Sequence, residues 1–82
     1  MKKRERQDLY ISFKNKLLDM IIDGVYNKGD FLPSERELAD KHNLSRITIR
    51  KALELLGQEG LISKEHGRGN RVQSSQTKRK TH

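Results

Sequence analysis

The sequence predicts a small α+β domain, mainly α, in which three helices carry a two-stranded β-wing: a winged helix-turn-helix. Three observations predict it. Helix starts capped by Ser34 and Ser45 flank a bend at Asn43. The apolar residues Ile49, Ala52, Leu53 and Leu56 recur at i, i+3, i+4 and i+7. A glycine-rich turn then separates two short strand-like runs near the C-terminal side.

The first helix is predicted from Leu9 to about Asp23. Phe13, Leu17, Met20 and Ile21 form its inward stripe, and Tyr10, Leu18 and Ile22 widen it. Gly24 stops it, being free to take positive φ. The segment 25–33 holds Asn27, Gly29 and Pro33 and reads as a connection with one short extended piece. The second helix follows Ser34, which with Glu37 three residues on makes the S-x-x-E capping box, while Glu35 puts negative charge at the dipole's positive end. Leu38 and Ala39 face inward, and the helix fades near His42. Asn43 tolerates the left-handed backbone of a tight bend, Leu44 returns to the core, and Ser45 caps the third helix, which runs from Arg46 to about Glu59. Gly60 ends it. Residues 61–64 and 70–73 are the wing strands, joined by a turn over 65–69.

The chain divides into a basic N-terminal arm over 1–8, the foldable unit over 9–73, and a linker-like basic tail over 74–82 whose composition (SSQTKRKTH) buries too little to fold. With 82 residues and 32% hydrophobic content there is room for one core, and an interior cofactor cavity would compete with it. No cofactor is expected. The net charge of +7 is unevenly spread. Residues 1–8 hold four Lys/Arg against two acids and residues 73–82 three Lys/Arg against none, which leaves +2 to residues 9–72. Charge alone is therefore a weak sign of a polyanionic partner. No cysteine is present, and the three histidines, His42, His66 and His82, lack metal-ligand spacing. Nothing pairs a nucleophile with a base, so an enzyme is not expected. No apolar run approaches the roughly 20 residues of a membrane span, and the start MKKRER lacks the apolar stretch of a signal peptide. The expected setting is the cytoplasm, at the nucleoid.

The chemistry gathers on the outer side of the third helix. Opposite its apolar stripe, at about 100° per residue, fall Ile47, Arg50, Lys51 and Glu54, with Arg46 at the edge near the helix start. Arg46, Arg50 and Lys51 read as a basic surface unopposed by acid before Glu54. An arginine grips guanine O6 and N7 bidentately in the major groove, and the first turn of a recognition helix is where bases are touched. Ile47 is placed to meet a thymine methyl. Ser34, Ser45 and Thr48 stand at helix starts, where hydroxyls and free N–H groups hold phosphates as well as capping. In the wing turn His66, Gly67, Arg68 and Gly69, the glycines permit close approach and Arg68 suits a narrow minor groove. Each of these features would also serve a plain solvated face or an ordinary hairpin turn.

Three stretches together resemble the DNA-binding domain of the GntR family of bacterial transcriptional regulators: residues 24–39 (GVYNKGDFLPSERELA), 44–53 (LSRITIRKAL), and Gly60-Leu61-Ile62 followed by Gly67-Arg68-Gly69. The resemblance covers about residues 9–73. It implies that Arg36 and Arg46 read guanines, that Thr48 and Arg50 bind phosphate or base, and that Gly67 enters the minor groove. Arg36 comes from the resemblance alone. The family's usual wing, G-R-G-T-F-V, is here G-R-G-N-R-V, so Arg71 replaces an aromatic and adds a charge. The ending R-K-A-L is nearer the HutC-type branch than the FadR-type. The resemblance further implies a ligand-responsive repressor on an operator half-site of double-stranded DNA. A C-terminal domain outside these 82 residues would bind a small-molecule effector and make a homodimer of the full-length protein. The alternative is a winged-helix interaction module whose basic face binds an acidic protein.

Overall fold

The computed structural model describes residues 2–73, with side chains from Asp8 onward; the tail assigned to 74–82 lies outside them. The element order is α1 (Lys2–Ile22), α2 (Glu35–His42), α3 (Arg46–Gln58), β1 (Ile62–Glu65) and β2 (Gly69–Val72). This is the predicted three-helix, two-strand architecture.

Helix α1 begins at Lys2 rather than Leu9. Residues 2–7 are Lys, Lys, Arg, Glu, Arg and Gln, all strong helix formers, and neither Gly nor Pro interrupts the run to Ile22. A reading based on apolar periodicity misses such a turn because it holds no apolar residue. Phe13, Leu17, Leu18 and Ile21 are buried, and Tyr10 and Met20 pack against the same cluster. Ile22 does not widen the stripe. It is 51% exposed, at the point where the helix ends.

All three helices stop by one device. An N–H two or three residues past the helix bonds back to a carbonyl five residues earlier: Val25 to Met20, Leu44 to Ala39 and Leu61 to Leu56. The intervening residue must take positive φ. Gly24, Asn43 and Gly60 do so, at 88°, 56° and 79°. Asn43 thus sets the sharp bend between α2 and α3, and Leu44 and Leu61 are turned back onto the core.

The core gathers α1, α2, α3 and the wing base around Leu17, Leu38, Ile49, Leu56, Leu61 and Val72, each nearly or wholly sealed from solvent. Side chains of this size contribute roughly 1.5–3 kcal/mol each on burial. Lys14 of α1 also reaches Glu59 at the end of α3, 3.0 Å away.

The wing strands pair antiparallel, from Ile62 opposite Val72 to Glu65 opposite Gly69. Both begin one residue away from the predicted bounds, β1 later and β2 earlier, because that pair closes the turn. The extended piece expected in 25–33 is present. Phe31 bridges Arg71, and Gly29, Asp30 and Leu32 exchange backbone hydrogen bonds with Val72 and Asn70 at 2.8–2.9 Å. The connection before α2 therefore lies along β2 as a short third strand, which anchors the wing to the helices.

Candidate nucleic-acid interface

Helix α2 is fixed at its start by the predicted capping box. Ser34 Oγ accepts from the Glu37 N–H at 3.1 Å, and the Glu37 carboxylate accepts from the Ser34 N–H at 3.0 Å. Ser45 does the same work for α3, accepting from the Thr48 N–H at 3.1 Å. The two helix starts differ in charge. Glu35 and Glu37 occupy the first turn of α2, whereas the first turn of α3 carries no acid. The positive end of the α3 dipole and its free backbone N–H groups thus stand beside Arg46 with no acid in the same turn, an arrangement suited to an anion.

The fold brings Arg36 and Arg46 to one depression, bounded by Pro33, Ser34 and Glu35 on one side and by Lys64, Gly69 and Asn70 of the wing on the other. Two arginines from different helices and a wing lysine thus converge where a groove edge would lie. No ion pair among the described residues involves Arg36, Arg46 or Lys51. Lys64 and Asn70 were not anticipated from the sequence. They face each other across the wing, so only the strand register, and not the composition, points to them.

Arg50 departs from the expectation of an unopposed basic surface. Its guanidinium donates to Glu35 of α2, Nη2 to Oε1 at 3.0 Å and Nε to Oε2 at 3.3 Å. The fifteen-residue separation hides this pair from any reading of α3 alone. The hydrogen bond from Arg50 is the main cause holding the Glu35 carboxyl below its ordinary range, against the opposing effect of partial burial; Lys64 and Arg46 add a smaller pull. The same bond raises the Arg50 guanidinium. Half of the Arg50 side chain still faces solvent.

The remaining helix residues form an adjoining surface. Ile47 is 70% exposed, as expected of a residue facing away from the core. With Ser45, Thr48, Lys51 and Tyr10 of α1 it lines a second depression. Thr48 is the least accessible of the proposed contacts. It is buried, and its hydroxyl shares a 2.9 Å hydrogen bond with Ser45 Oγ, so Ser45 stands in front of it.

The wing tip lies apart from both depressions. His66, Gly67 and Arg68 are exposed, the Arg68 N–H bonds the Glu65 carbonyl at 2.9 Å, and Gly67 takes φ 74°, closing the tight turn. Nothing lies within 4 Å of where a Gly67 side chain would begin, so the tip is open for close approach. Among the described residues no group of acids and histidines could hold a metal, and no helix is long and apolar enough to cross a membrane.

Known proteins share the family and the fold. Residues 9–72 match the family model described as bacterial regulatory proteins, gntR family. The chain is 46% identical over 68 residues to a probable fructoselysine utilization operon transcriptional repressor of Escherichia coli K12, covering 83% of this chain and 28% of that protein. The chain is also 45% identical over 71 residues to the HTH-type transcriptional regulator YurK of Bacillus subtilis 168, covering 87% of this chain and 29% of YurK. It therefore spans under a third of the length of these relatives. Among solved structures, a GntR family transcriptional regulator from Listeria monocytogenes superposes with TM-score 0.76 at 31% identity, over 78% of this chain and 56% of that one. The AraR DNA-binding domain in complex with an operator does so with TM-score 0.75 at 33% identity, over 78% and 77%.

Proposed function

Because the chain belongs to the GntR family of bacterial regulatory proteins, we propose that residues 9–73 are the sequence-reading head of a transcriptional repressor. The convergence of Arg36 and Arg46 beside the wing carries the reading. Helix α3 enters the major groove by its first turn, where Arg46 and Arg36 grip guanines and Ile47 meets a thymine methyl. Ser34, Ser45, Lys51 and Arg50 hold the flanking phosphates. The wing tip, His66 to Arg68, lies against the adjacent minor groove. Thr48 acts mainly through Ser45, which it orients.

The full-length protein binds a palindromic operator as a homodimer, with a small-molecule effector on a further domain, in the cytoplasm at the nucleoid. The greater length of the relatives supports this part. The test is selection of the purified chain on a library of random duplexes. Enrichment of a guanine-containing half-site is the expected result. Recovery of random sequence would overturn the proposal and favour an acidic protein partner.

A further inference from the structure

The wing carries an arginine at position 71, where the family pattern quoted above has an aromatic, and the structure shows an aromatic across the bridge from it. Phe31, in the connection before α2, pairs its backbone with Arg71 and leaves its ring 40% exposed. Two guanidiniums lie over that ring, Arg71 at 5.5 Å and Arg68 at 5.8 Å from its centroid. Both distances fall within the range of a cation–aromatic attraction. Arg71 has other tethers: the Glu65 carboxylate at 3.5 Å and the Gly29 carbonyl at 3.4 Å. Arg68 forms no ion pair and no side-chain hydrogen bond among the described residues. It sits between Gly67 and Gly69, both at positive φ, and the Phe31 ring is the contact that fixes its long side chain.

From this we infer that Phe31 is a positioning residue for the wing, holding Arg68 ready for the nucleic-acid backbone. The inference rests on the DNA-binding reading above and deepens it. A guanidinium held over a ring has its rotamers restricted while its N–H donors stay open to a phosphate. Order supplied before binding is not charged against affinity at the moment of binding. The α1–α2 connection would then set how firmly the wing tip grips, although Phe31 itself need not touch DNA.

The experiment has two arms. In the DNA-free protein, proton NMR should show the δ-methylene protons of Arg68 and Arg71 shifted upfield by the ring current, and Phe31→Leu should abolish the shift while melting stays cooperative. In the second arm, binding to a short mixed-sequence duplex is followed across a salt series. Phe31→Leu should weaken it about two- to fivefold, the weight of one exposed cation–aromatic contact, and Phe31→Trp should restore it. On an Arg68→Ala background Phe31→Leu should have no further effect, whereas a merely structural role would lower binding on both backgrounds. Unshifted arginine protons in the wild type, or wild-type affinity in Phe31→Leu, would overturn the inference. A wild-type chain that binds no duplex would overturn the DNA reading and this inference with it, even with the NMR shifts present.

Discussion

Arg36 and Arg46 stand on different helices yet share one depression, and neither forms an ion pair among the described residues, the Glu35 carboxylate beside them being held by Arg50. Each is therefore free to make a bidentate contact, and Arg36→Ala or Arg46→Ala should cost about 1–3 kcal/mol on the preferred duplex and much less on a scrambled one. Lys51→Ala should weaken both duplexes alike and reduce the salt slope by about one. Arg50 is different because Glu35 holds it. Glu35→Gln should release it, raising affinity for scrambled DNA and steepening the salt slope; unchanged binding in a titration would contradict that role. His42 gives the domain a pH dependence. Its ring meets Phe13 edge-on at 4.9 Å, and burial, with smaller effects from Lys16 and Lys41, lowers its pKa below 6.5. The unfolded chain then takes up the proton at a higher pH than the folded one. The stability this contributes is full above about pH 6.5 and is lost as pH falls through the folded value. Melting temperatures between about pH 7 and 5 should decline in the wild type and flatten in His42→Leu.

Helix starts and stops were legible because their signals are local. Ser34 and Glu37 lie three apart and form the box their spacing implies, so Ser34→Ala should lose about 0.5–2 kcal/mol in thermal melts with base preference unchanged. A shifted preference at constant stability would make Ser34 a DNA contact first. The core face of α3 was likewise readable, since its apolar period matches the residues that are buried. Four features were not. The first turns of α1 are helical by propensity without any apolar stripe, so periodicity passes over them. The Glu35–Arg50 pair and the Phe31–Arg68 contact join residues far apart in sequence, which only tertiary packing brings together. Lys64 and Asn70 join the depression through the wing register, which depends on how the turn closes. Arg36 was found by resemblance, because on α2 alone it is one more exposed cation.

At the scale of the molecule, one small core carries both depressions, and the chain spans under a third of the length of its curated relatives. On the proposed function these 82 residues carry the DNA contacts and not the dimer contacts, so the chain should sediment as a monomer at micromolar concentration and bind one half-site weakly. Linking two such heads raises affinity through effective concentration without new contacts. A tight dimer of this chain would contradict that division of labour. Whether the surface around Arg36 and Arg46 reads bases, beyond attracting phosphates, is decided by binding the wild-type chain to its selected duplex and to a scrambled duplex of equal length across a salt series. Affinity for both should fall linearly in log–log form while the selected duplex stays preferred at every salt concentration. Two coincident lines would contradict base reading.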